Sequence, residues 1–163
     1  MSVDEPQWED LARHAVGSDE AVEEYLGQFL CLAVDDTPYA VPVEAVREIV
    51  RMRPVTRIPR VPEAICGVIA LRGEIIQVVD LRCRLGLASA APGRRSRIIV
   101  LQVDDNLTAG LLVDGVSDVL RAGESDVIPP LGGESGTVEA LIKRGDTFVS
   151  LLDLHAVLGV EDG

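Results

Sequence analysis

The sequence predicts a mainly β protein made of two similar barrels packed together, and three features carry that expectation. Short apolar runs with turn residues between them succeed one another from Gln28 onward, with little helical periodicity. Fifteen Gly and nine Pro are spread along the chain, which suits many turns between short strands. The third feature is an internal repeat. "LAVDDTPYAVPVEAVREIVR" (Leu32 to Arg51) aligns with "LQVDDNLTAGLLVDGVSDVLR" (Leu101 to Arg121). "RGEIIQVVDLRCRLGL" (Arg72 to Leu87) aligns with "RGDTFVSLLDLHAVLGV" (Arg144 to Val160). The offset stays at roughly 70 residues, and two copies fall short of the three or so that a solenoid needs. Two like barrels leave a groove between them, a common seat for a partner.

Residues 1–28 stand apart as a partly helical extension. Trp8, Leu11, Ala12 and Ala15 recur at helical spacing. A second helix follows, capped by Ser18 or Asp19, with Ala21, Val22, Tyr25 and Leu26 on its apolar side and Gly27 as its stop. The folded unit spans residues 29–160. Its first copy, about 29–87, contains the strands "FLCLAV", "YAVPV", "VREIVRM", "ICGVIAL" and "EIIQVVDL". The second, about 98–160, contains "RIIVLQV", "TAGLLVDGV", "SDVLR", "VEALIKR" and "TFVSLLDL". Loops are brief except near "PPLGGESG". Each copy ends its last strand on Asp-Leu, at Asp80-Leu81 and Asp153-Leu154, where the Asp suits the N-cap of a short helix.

Composition narrows the function. At 163 residues the chain is one domain by size, and 27 acids against 15 bases give a net charge of −12. An oligonucleotide-binding barrel, the alternative from another functional class, needs a basic groove and aromatic stacking faces. With two Phe, two Tyr and one Trp this chain offers neither, so no nucleic-acid partner is expected. The Arg-rich "PGRRSR" (Pro92 to Arg97) is the local exception and suits a solvated loop. Cys31, Cys66 and Cys83 are odd in number, lie in apolar runs and form no C-x-x-C, which favours buried, reduced thiols and a cytoplasmic location. The acidic start lacks the pattern of a signal peptide, and the apolar runs are too short for a membrane span.

Catalytic constellations are not evident. His14 and His155 lie far apart, and there is no G-x-S-x-G, P-loop or H-E-x-x-H. Asp35-Asp36 and Asp104-Asp105 occupy equivalent repeat positions and precede turn residues, so acidic hairpin tips explain them better than a metal pair. No catalytic residue, metal or cofactor is therefore assigned.

Arg72 is the exception to this quiet picture. It separates two apolar strands, and Gly73 permits a tight turn directly after it. Two readings stay open: a surface arginine paired with Glu74 or Glu48 for little gain, or an interface anchor, a role in which Arg is enriched. Arg144-Gly145 repeats the dipeptide in the second copy.

The run "CGVIALRGEIIQVVDLR" (Cys66 to Arg82) resembles the G-V-x-N-L-R-G…V-D-L-R signature of CheW-type chemotaxis coupling proteins. "VREI" (Val46 to Ile49), "VTRIP" (Val55 to Pro59) and "LLVDGVSDVL" (Leu111 to Leu120) match in the family's order, covering the chain from about Phe29 to Gly159. The resemblance implies two intertwined five-stranded SH3-like barrels and a non-catalytic adaptor. Its partners would be the cytoplasmic tip of a chemoreceptor, the regulatory domain of a CheA-type histidine kinase and other CheW-like proteins in array rings, with no insertion into the membrane. Carried over by motif, the receptor-facing residues are Arg72, Gly67, Val46, Glu48, Gly110 and Val119. Apolar strand surfaces at Ile49, Val55 and Ile58 would meet the kinase. Ala70 and Gln77 depart from the family's Asn and Pro.

Overall fold

The computed structural model describes residues 25–131 and 136–159. Eleven strands and two short helices run in the order β1 (Tyr25–Val34), β2 (Thr37–Pro42), β3 (Val46–Arg51), β4 (Ile65–Leu71), β5 (Glu74–Asp80), α1 (Leu81–Arg84), β6 (Arg97–Asp104), β7 (Leu107–Val113), β8 (Gly115–Gly123), β9 (Val127–Ile128), β10 (Val138–Arg144), β11 (Thr147–Leu152) and α2 (Leu154–Leu158). Both helices start as expected. The Asp80 carboxylate accepts from the Arg82 N–H at 3.0 Å, and that of Asp153 from the Ala156 N–H at 3.2 Å.

Two sheets form, and each draws on both copies of the repeat. One is ordered β3-β6-β7-β5-β4, the other β8-β1-β2-β11-β10-β9. In each, the leading hairpin of one copy sits between the third strand and the closing hairpin of the other. The seams β5–β7 and β2–β11 are parallel and all other pairings antiparallel. The repeat boundaries 29–87 and 98–160 therefore do not enclose one sheet each, because hairpins β1–β2 and β6–β7 have changed places. Each sheet then closes by the same device: the chain leaving its third strand returns to pair with the outer strand. This gives the bridge Thr56 to Val68 in one barrel and β9 on β10 in the other.

Alternation along the strands sorts side chains between three cores. Val50, Ile69, Ile76, Val78, Ile98 and Val100 fill one barrel. Phe29, Ala40, Ile142, Val149 and Leu151 fill the other. The largest cluster lies between them, where Leu30, Leu32, Ile99, Leu101, Leu111 and Val157 meet. Strand β6 shows why "RIIVLQV" has no polar alternation: Ile98 and Val100 point into a barrel, while Ile99 and Leu101 point into the seam. Each such side chain, fully buried, contributes about 1.5–3 kcal/mol.

Where the chain begins its first strand differs from expectation. Tyr25 and Gly27 lie in β1, paired with Gly123 and Ala122, rather than on a helix stopped at Gly27. The exposed ladder of β8 offers those backbone groups partners that a lone helical turn lacks. The helices expected over residues 1–24, with His14 and the Ser18 or Asp19 cap, lie outside the described residues, as do residues 132–135 of the longest loop. "TAGLLVDGV" also divides at Asp114 into β7 and β8.

Candidate interaction site

Arg72 and Gly73 are the two central residues of the β4–β5 hairpin, with φ of 51° and 84°. Positive φ at both positions is the requirement of a type I′ turn, which normally selects Asn, Asp or Gly. An arginine in that conformation costs about 1–2 kcal/mol. Its side chain is 73 % exposed yet held in place. Nε donates to Glu48 Oε1 at 3.1 Å and Nη2 to Glu48 Oε2 at 2.6 Å, a two-point fork from the hairpin to β3. The hydrogen bond from Arg72 holds the Glu48 carboxyl below its usual range. Glu74 is bound by Arg47 instead, at 3.4 Å.

The second barrel carries the same clasp in altered form. Arg144 donates to Asp118 of β8 through both Nη atoms, with Nη1 to Oδ1 at 3.3 Å. Asp118 occupies the repeat position of Glu48. The turns differ, however. Arg144 pairs with Thr147 as the last residue of β10, so Gly145 and Asp146 form the turn and Gly145 alone of the two has a positive φ, of 63°. Thus the two Arg-Gly dipeptides are not equivalent in register, yet both arginines reach the acid on the third strand of their own copy.

Exposed apolar residues flank the two clasps at matching positions. Beside Arg72 these are Ile49 on β3 and Ile75, 70 % exposed, on β5; in the other barrel they are Val119 on β8 and Phe148 on β11. Ile75 and Phe148 were not legible as surface residues, because the strand pattern alone places an apolar residue inward.

The remaining residues expected at the site divide. Val46 is half-buried against the seam between the barrels. Gly67 and Gly110 are buried, and the reason is close packing. A Cβ on Gly67 would lie 2.1 Å from the Thr56 carbonyl oxygen, and one on Gly110 would lie 2.7 Å from Ile98 Cγ2. Val119 is exposed but lies on the barrel opposite to Arg72. Ile49 and Ile58 are exposed, whereas Val55 packs against the barrel core beside Gly67.

A third polar group joins the ends of three strands. Arg82 of α1 donates to Asp114 through Nε at 3.3 Å and Nη2 at 2.9 Å, and also to Asp35 in the β1–β2 turn. The backbone N–H of Asp35 donates to Asp114 Oδ2 at 2.8 Å. The second copy has His155 facing Asp104 at 3.2 Å in the corresponding place. The acidic tips are therefore turn and clasp residues, and among the described residues no three His, Cys, Asp or Glu side chains are grouped to hold a metal. The three cysteines are free; Cys31 is buried and the other two half-buried, with burial pushing the Cys66 thiol up to about 11. Among the described residues no helix is long and apolar enough to cross a membrane.

An exchanged pair of barrels with clasped, apolar-flanked corners defines a protein–protein interaction module. The comparisons with known proteins make this specific. A family model described as the CheW-like domain matches residues 28–162. The chemotaxis protein CheW of Bacillus subtilis is 33% identical over 138 residues, covering 82% of this chain and 88% of that protein. CheW of Rhizobium meliloti is 41% identical over 102 residues, covering 63% of this chain and 65% of that protein. The crystal structure of the scaffolding protein TtCheW from Thermoanaerobacter tengcongensis superposes with a TM-score of 0.78 at 31% identity, covering 84% of this chain and 95% of that one. The chain belongs to the CheW-like family, and it is a chemotaxis adaptor.

Proposed function

We propose that this adaptor receives a chemoreceptor at the Arg72–Glu48 corner and passes receptor state to a CheA-type histidine kinase through its apolar strand surfaces. It couples the two by binding, without catalysis, in the cytoplasm, recruited to receptor arrays. The observation that carries the receptor assignment is Arg72: a non-glycine residue kept in a costly turn conformation, exposed, and fixed by Glu48. Strain of that kind at a surface points to a role for the side chain. A receptor's helical tip would lie in the groove between barrels, as amphipathic helices do elsewhere. Arg72 and Glu48 would offer it charge, with Val46 as an apolar wall and Val119 on the far side. Gly67 would serve by letting the Thr56 backbone approach closely and Gly110 by making room for the Ile98 side chain, and Ile49 and Ile58 are the exposed residues suited to the kinase regulatory domain. Further CheW-like proteins would meet the same surfaces in array rings.

The test is Arg72→Ala, titrated against the signalling fragment of the cognate receptor. Affinity should fall about tenfold or more, as for a binding hot spot, while the variant still unfolds cooperatively and binds the kinase regulatory domain as the wild type does. Unchanged receptor affinity would remove Arg72 from the interface.

A further inference from the structure

We propose that the cavity walled by Arg95 and Arg97 is a binding site for an oxyanion, a phosphate or carboxylate group. The cavity measures about 290 Å³ and lies between the start of β6 and strands β1 and β8, lined by Ala33, Arg95, Arg97, Gly115, Val116 and Ser117. That size, at the small end of ligand pockets, suits a compact anionic group. It shares no residue with the Arg72–Glu48 corner.

The charged walls are both cationic, and both are unspent. Arg47, Arg72, Arg82 and Arg144 each bind a carboxylate, but among the described residues none lies within ion-pairing distance of Arg95 or Arg97. In a chain of net charge −12 with 27 acids, two adjacent unpaired arginines facing one cavity run against the average field. The nearby acids are already occupied. Asp114 holds Arg82, and Asp118 holds Arg144 while accepting from Ser117 Oγ at 2.9 Å.

The arginines are also pre-positioned. Ser96 is the buried polar residue among those described, and its Oγ accepts from the Gly93 N–H at 2.8 Å while its own N–H donates to Gly93 O at 3.2 Å. Arg97 Nη1 donates to the carbonyls of Arg94 and Ser96 at 3.1 and 2.8 Å. One corner of the guanidinium is thereby fixed, which leaves its Nε and Nη2 edge for an oxyanion, the geometry in which arginine binds such groups best. Barrel architecture does not demand these arginines, since Leu26 and Gln28, within β1, stand at the corresponding repeat positions.

The experiment is an amide-resolved NMR titration of the full chain at constant ionic strength, with sodium phosphate in one arm, sodium acetate in a second and sodium chloride as control. Saturable shifts at Arg95, Arg97, Gly115 and Ser117 are expected. They should weaken about tenfold in an Arg95→Gln/Arg97→Gln variant that melts as the wild type does. Saturation by phosphate alone would assign a phosphate group, by acetate alone a carboxylate, and by both a general oxyanion site. Arg95→Gln by itself, an exposed loop substitution, serves if the double variant fails to fold. Absence of saturable shifts, shifts reproduced by chloride, or shifts unchanged in the variants would overturn the proposal.

Discussion

Replacing Gly67 by alanine separates a packing role from a binding role at this position. Gly67 has φ of 146° and faces the Val55–Thr56 segment that closes its barrel. An added Cβ would stand 2.1 Å from Thr56 O and 2.8 Å from Val55 Cγ1, so the segment must move away. That movement breaks the reciprocal bonds Thr56 N–H to Val68 O, 2.9 Å, and Val68 N–H to Thr56 O, 2.8 Å. Two such bonds contribute about 1–3 kcal/mol together, and the backbone strain adds about 1–3 kcal/mol. Alanine should therefore destabilise the protein by about 2–6 kcal/mol, a large share of the 5–15 kcal/mol typical of a domain. Urea unfolding measures the loss, and hydrogen exchange at the Thr56 and Val68 amides locates it. A variant within about 0.5 kcal/mol of wild type, the range of neutral surface changes, would refute the packing argument. If such a variant also lost receptor binding, Gly67 would instead be a contact residue.

Three further outcomes follow from the same geometry. Glu48 has its folded pKa depressed below the ordinary carboxyl value by the hydrogen bond from Arg72, so the stability it lends is present above that ordinary value and is lost as pH falls through its folded value. Melting curves in acid should therefore decline less steeply for Arg72→Ala than for wild type, and identical profiles would count against the clasp. Asp80→Ala should cost about 1 kcal/mol in urea unfolding through loss of the α1 cap while leaving receptor affinity intact. Each half of the chain, expressed alone, should fail to unfold cooperatively, and mixing the halves should restore cooperativity. A cooperative transition from either half in isolation would contradict the hairpin exchange.

Much of the fold was legible because it rests on local pattern. The apolar runs marked β1 to β8, β10 and β11, the repeat marked two like units, and the Asp-Leu pairs marked both helix starts. What escaped was whatever depends on a distant partner. Ala21, Val22, Tyr25 and Leu26 have helical spacing, yet backbone pairing to β8 takes Tyr25 into a strand. Val127–Ile128 is too short for any pattern and is a strand only because β10 lies beside it. The repeat alignment shows which segments are alike, but says nothing of which copy supplies the hairpin seated on β5 or β11.

The exchange gives the arginines their place. In each sheet the third strand and the closing hairpin come from one copy and flank the visiting hairpin of the other. The arginine fork then ties these two host elements together where the sheet curls round, Arg72 to Glu48 in one barrel and Arg144 to Asp118 in the other. A sequence comparison equates the two Arg-Gly dipeptides, but the hairpins turn one residue apart. The shared feature is thus the bond from the closing hairpin to the third strand, and the turn itself is free to vary. In the first barrel that freedom places the arginine at the tip, more exposed than its counterpart, 73 % against 39 %. The same ion pair can therefore hold a barrel closed in both copies, and the greater exposure of Arg72 is what supports its proposed role as the receptor-facing arginine.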